Sequence, residues 1–132
     1  YVSLPLAPKP LVVAVTQDAE TAQFFREKVI DRGYGLLLAD SGREALEVCR
    51  GKPPAVLVLD RRIQGSDVRE IILQLREDAK TKRLPVIVLG LQTLERNEVE
   101  LYRHFGIFYS TLPWREKELS RSLAMAVLGK LR

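Results

Sequence analysis

Few side chains in this sequence could do chemistry, and most of them lack the neighbours that chemistry needs. His104 is the only histidine, and no carboxylate, cysteine or second histidine stands at metal-ligand or triad spacing from it. It reads as a surface residue. Cys49 is the only cysteine, so no internal disulfide is possible; it falls on the inner face of a predicted helix, where a small core residue is expected rather than a nucleophile. Gly33, Gly35, Gly42, Gly51, Gly65 and Gly106 punctuate turns and helix ends and build no phosphate-cradling loop. One carboxylate remains to be questioned. Asp60 directly follows the apolar run Ala55–Leu59 and is itself followed by Arg61 and Arg62. It is either structural, held by loop amides or by one of those arginines, or chemical, if the fold brings suitable groups to it. An arginine folded back onto it would act as a permanent counter-charge; arginines facing solvent are the alternative.

The elements that must position Asp60 alternate along the chain. Leu11–Val15 is a continuous Val-rich run that suits a strand buried on both faces. Asp18–Arg32 has Ala22, Phe25 and Val29 at helical spacing and Gly33 as its stop. Gly35–Ala39 is the second strand, and Ser41 to Glu44 is a capping box that opens a helix ending before Gly51. Ala55–Leu59 is the third strand, Ser66–Glu77 a helix and Pro85–Leu89 the fourth strand. Thr93 is the expected cap of a helix with Leu94, Leu101, Tyr102 and Phe105 on one face. Ile107–Ser110 is a short fifth strand and Arg115–Leu131 the last helix. Residues 1–10, with Pro5, Pro8 and Pro10, read as an extended linker, which leaves 11–132 as one domain.

Five strands alternating with five helices imply a parallel sheet with right-handed crossovers and helices on both faces. The functional crevice of such a sheet lies at the carboxyl ends of its strands. The residues that matter are therefore Thr16, Gln17, Asp18, Asp60, Gly90 and Leu112.

Composition narrows the class. At 46% hydrophobic and 29% charged the chain is an ordinary globular sequence, and no apolar stretch approaches membrane-spanning length. A lone cysteine makes a reducing cytoplasm the simplest expectation. The net charge of +4 permits an acidic partner, but the arginines are interleaved with acids and form no stripe with aromatics, so nucleic-acid binding is not expected. The opening Tyr1 leads to the expectation of a longer chain with flanking domains.

Four local phrases carry a resemblance. Gly33-Tyr34, a strand, and Ala39-Asp40-Ser41-Gly42-Arg43-Glu44-Ala45-Leu46 form the first, and Ala55 to Asp60 the second. Leu84 to Leu89 and Tyr109 to Trp114 complete the set. In this order and spacing they resemble the response-regulator receiver (CheY-like) family over nearly all of Leu11–Leu131. The resemblance implies a flavodoxin-like doubly wound sheet of strand order 2-1-3-4-5, and Asp60 as the equivalent of the phospho-accepting aspartate. It also implies an acidic pair for Mg²⁺ after the first strand, a hydroxyl after the fourth and a lysine after the fifth.

Carried across, the acidic pair falls on Thr16 and Gln17, with Asp18 one residue away; the hydroxyl position is Gly90 and the lysine position Leu112. The expectation is a degenerate receiver, not an enzyme, with no cofactor and no metal, acting by protein contact without phosphorylation. A working phospho-acceptor at Asp60, or a small-molecule or nucleic-acid module on the same fold, are the alternatives. The resemblance further implies a contact face on the fourth helix, fifth strand and fifth helix, with Tyr109 as the switch aromatic. Arg103 and Arg121 are further contact candidates, toward a protein partner or a second copy; Trp114 is either a contact anchor or, as the favoured reading, packing at the start of the last helix. A cis Leu112–Pro113 bond is expected, as is a surplus of apolar residues on the last helix.

Overall fold

The computed structural model describes residues 9–112 and 114–128. The expected linker before residue 9, the Leu112–Pro113 bond and Leu131 lie outside the described residues. Ten elements alternate along the chain. The strands are β1 (Leu11–Val15), β2 (Gly35–Ala39), β3 (Val56–Asp60), β4 (Val86–Gly90) and β5 (Ile107–Thr111). The helices are α1 (Ala19–Asp31), α2 (Gly42–Gly51), α3 (Val68–Glu77), α4 (Arg96–His104) and α5 (Glu116–Val127). All strand pairs are parallel and the order is β2-β1-β3-β4-β5, the expected topology. Among the described residues no helix is long and apolar enough to cross a membrane.

The continuous apolar runs are explained by burial on both faces. Val13, Val15, Leu57, Leu59, Val86 and Val88 point to one layer, where they meet Cys49 of α2, Ile72 and Leu75 of α3 and Tyr102 of α4. Their alternating neighbours Val12, Ala14, Val56, Val58, Ile87 and Leu89 meet Phe25 and Val29 of α1 and Leu119, Leu123 and Ala126 of α5. Burial pushes the Cys49 thiol up to about 11, which leaves it an inert core group.

The caps follow the sequence with one exception. Asp18 accepts from the Thr21 amide, Ser41 from Glu44 and Asp67 from Arg69. Gly33 and Gly106, at φ 84° and 67°, end α1 and α4 in the left-handed region that favours glycine. Thr93 does not cap α4. That helix starts at Arg96, with Glu95 at its N-cap and no side-chain cap bond. The Gln92 carbonyl accepts the Tyr109 hydroxyl instead, so the segment before α4 is tied to β5. The last helix is also shorter than expected, Glu116–Val127. Leu119, Leu123 and Ala126 are buried, while Leu128, just past its end, is exposed.

One charged side chain serves as a structural tie. Arg76, on α3, donates from Nε to the Phe105 carbonyl (2.9 Å) and from Nη1 to those of Leu84 (2.8 Å) and Thr81 (3.3 Å). It thereby joins the end of α4 to the α3–β4 loop, and burial lowers its affinity for its proton without removing the charge. Arg76→Ala is expected to reduce stability by about 1–3 kcal/mol, because it orphans carbonyls at the end of α4 and in the α3–β4 loop at once. Urea unfolding monitored by far-UV circular dichroism measures this.

Candidate functional site

The crevice is built at the carboxyl ends of β1, β3, β4 and β5. The register pairs Val15 with Leu59, so the next residues, Thr16 and Asp60, stand beside each other on neighbouring strands. Asp60 is 1% exposed. A carboxylate so buried has to be matched by donors and by charge.

The match is complete. Asp60 Oδ2 accepts from the Thr16 hydroxyl (2.7 Å) and from Arg62 Nη2 (2.8 Å). Its Oδ1 accepts from Arg62 Nε (2.9 Å) and from the Arg62 backbone amide (2.9 Å). A carboxylate has about four lone-pair sites, and here four donors fill them. The Arg62 guanidinium lies bidentate on the carboxylate, and that hydrogen bond raises its hold on its own proton. Arg62 also donates from Nη2 to the Thr21 hydroxyl (2.9 Å) and lies 3.7 Å from Asp18 Oδ2.

The residues after β1 are engaged in structure. Thr16 is buried, and besides donating to Asp60 it accepts from the Asp18 amide (3.1 Å). Gln17 spans the crevice mouth: Nε2 donates to the Asp40 and Gln64 carbonyls (2.8 and 3.1 Å), and Oε1 accepts from the Gln64 amide (2.8 Å). Asp18 caps α1, accepting from the Thr21 amide (2.9 Å) and hydroxyl (2.6 Å). Those two bonds, with the Arg62 charge behind them, hold its carboxyl below the usual carboxylate value. Among the described residues no three His, Cys, Asp or Glu side chains converge on a common point. Leu112 is half-buried against the α1–α5 layer, and its amide donates to the Gly90 carbonyl (2.7 Å). Arg61 turns the other way and pairs with Glu98 of α4.

Comparison with known proteins places this geometry. No family model matches the chain. It is 24% identical over 118 residues to protein PilH of Pseudomonas aeruginosa, an alignment covering 89% of this chain and 98% of that protein. It is 26% identical over 111 residues to hybrid signal transduction histidine kinase D of Dictyostelium discoideum, covering 84% of this chain but 7% of the kinase. A putative response regulator from Chloroflexus aurantiacus superposes with a TM-score of 0.81 at 23% identity, covering 91% of this chain and 98% of its own. The chain folds as a response-regulator receiver domain. A chemotaxis response regulator of Vibrio cholerae gives a TM-score of 0.80 at 21% identity, covering 89% of this chain and 98% of its own.

Asp60 is the last residue of β3. Two aromatic side chains are buried, and for Trp114 this is the packing reading, not the contact one. Trp114 is 4% exposed and packs edge-on against Phe25, because the chain turns inward there to cover the α1–α5 layer. Tyr102, on the inner face of α4, is equally buried. Arg103 and Arg121 are exposed, on α4 and α5 respectively. Sequence reasoning left Arg62 as one of two alternatives and missed Thr16 as a donor to Asp60. The pairing of β1 with β3 was the available signal for Thr16, since it places the two strand ends together.

Tyr109 turns toward the crevice and packs against the Tyr102 ring. Its hydroxyl takes the space over Gly90: a Cβ at position 90 would lie 2.3 Å from Tyr109 Oη and 3.0 Å from Cζ. A side chain at 90 and this position of Tyr109 exclude each other. Gly90→Ala is therefore expected to drive the Tyr109 ring outward and break its bond to the Gln92 carbonyl. A crystal structure of the variant with Tyr109 unmoved would refute this.

Proposed function

We propose that this domain is a receiver that signals by protein contact without phosphorylation of Asp60. The saturated Asp60 carboxylate carries the reading. Phosphoryl transfer to an aspartate requires a free carboxylate lone pair as nucleophile, and a divalent cation to offset the charge of the donor. In this crevice the lone pairs are filled, and the compensating charge is a guanidinium two residues along the chain. Leu112 offers no cation for a phosphoryl group, and Gly90 offers no hydroxyl.

The output surface proposed is the α4–β5–α5 face. Arg103 on α4 and Arg121 on α5 are exposed, and Phe108 on the edge strand β5 is 39% exposed. Arginine and aromatic side chains in one patch are the usual material of interface hot spots. The partner is a protein or a second copy of the chain, and the similar segment inside the much longer histidine kinase supports a role beside other domains. A soluble, cytoplasmic, non-catalytic module is part of this reading.

Incubation with Mg²⁺ and acetyl phosphate should leave the intact mass unchanged. A gain of one phosphoryl group, lost in Asp60→Asn, would overturn the proposal. Arg62→Ala should cost about 1–3 kcal/mol of stability, because water replaces only part of what the buried carboxylate loses. Charge reversal at Arg103 and Arg121 together should weaken association, read by sedimentation, with the melting temperature unchanged.

A further inference from the structure

The resemblance implies a divalent cation beside Asp60, and the residues present do not fit one, because both carboxylate oxygens already accept two donors each. One of those donors has further neighbours. Arg62 Nη2 lies 2.8 Å from Asp60 Oδ2, 2.9 Å from the Thr21 hydroxyl and 3.7 Å from Asp18 Oδ2. A single cationic nitrogen is thus the common neighbour of oxygens from the end of β3 and the start of α1.

These oxygens are the kind a hard cation takes, two from carboxylates and one from a hydroxyl. Among the described residues only Arg62 is within ion-pairing distance of Asp18 or Asp60. Two negative charges therefore share one positive charge, where a divalent ion would balance both. Asp18 also has capacity to spare. Its Oδ2 takes the Thr21 amide and hydroxyl, while its Oδ1 accepts no hydrogen bond among the described residues. The turn after β3 does not depend on the guanidinium. The Arg62 backbone amide donates to Asp60 Oδ1 (2.9 Å) whatever the side chain, and Thr16 holds Oδ2 from β1 (2.7 Å).

We propose that Asp18, Thr21 and Asp60 form a divalent-cation site that the chain fills with its own Arg62 guanidinium, so that deleting this side chain opens the site to a free ion. This rests on the proposed function, in which the wild-type crevice takes neither metal nor phosphoryl group, and it names the group that keeps the metal out. Small divalent ions are commonly held by one or two carboxylates and complete their shell with water, which is what the three side chains offer once the arginine is gone. The competing account is an arginine that neutralises Asp60 alone, whose place water would take.

Mn²⁺ is the probe, read by water-proton relaxation and by thermal melting. Wild type should show no saturable binding at millimolar Mn²⁺. Arg62→Ala should bind it saturably in that range, with a rise in melting temperature that wild type lacks. Arg62→Gln, also uncharged, gives the same readout should Arg62→Ala fail to fold. Asp18→Asn keeps an oxygen to cap α1. Added to the Arg62 variant, it should weaken Mn²⁺ by roughly fivefold or more through loss of a charged ligand. Saturable binding by wild type, absence of binding in both Arg62 variants, or an affinity that Asp18→Asn leaves unchanged would each overturn the assignment. The acetyl phosphate result is separate. A wild type that gains no phosphoryl group, beside Arg62 variants that bind no Mn²⁺, strikes the cation site and spares the proposed function; a wild type that gains one strikes the proposed function.

Discussion

The arrangement at the sheet's carboxyl edge depends on a buried carboxylate that must be neutralised where it stands. Asp60 ends the central strand β3 and is shut from water by the layers on either side. Left unmatched, such a charge would be too costly for a domain of this size to keep. Arg62 and Thr16 meet the requirement, and the rest of the crevice is arranged around them. Thr16 is fixed by the β1–β3 register, Arg62 by the turn after β3, and Thr21 by the α1 cap that also holds Asp18. The polar groups of the loops are used up in holding one charge.

The same edge divides into two halves with different chemistry. On the α1–α5 side lie the Arg62 contacts and a hollow lined by Phe25, Leu89, Leu112 and Trp114. On the α4 side, Arg61 reaches Glu98 while Tyr109 fills the space over Gly90. Two adjacent arginines thus tie the β3 loop in opposite directions, one to α1 and one to α4. The loop that would have to move in a switching event is held from both sides.

The fold was legible in the sequence because strand burial writes itself as apolar runs. Leu11–Val15 and the Val-rich β3 and β4 read as strands buried on both faces, and the cap at Ser41 marked a helix start with a defined chemistry. The α4 start was not legible. Thr93 is a good capping residue by type, yet a tertiary bond from Tyr109 to the neighbouring Gln92 carbonyl governs that segment. In the crevice, the resemblance singled out Thr16, Gln17, Gly90 and Leu112, but the contacts these residues make could not be read from it. Gln17 bridges two loops, and Gly90 makes room for a ring. Each of these depends on which atoms meet across the sheet, and linear spacing does not encode it.

The Arg62–Asp60 pair closes over a separation of two residues, and this makes the arginine a ligand that cannot be diluted. Its effective concentration at the carboxylate is set by a short, ordered turn rather than by the surrounding solution. A metal ion competing for Asp60 contends with a resident cation that no dialysis, chelator or change in expression level removes. Salt is of little help to the competitor, since screening acts far less on a buried pair than on exposed charges. A cation that diffuses in also leaves, and a state built on it lapses with time. The state built on Arg62 has no such clock. On the proposed reading, information passing through the domain would be carried by how many copies are present and what they touch, not by how recently a stimulus arrived.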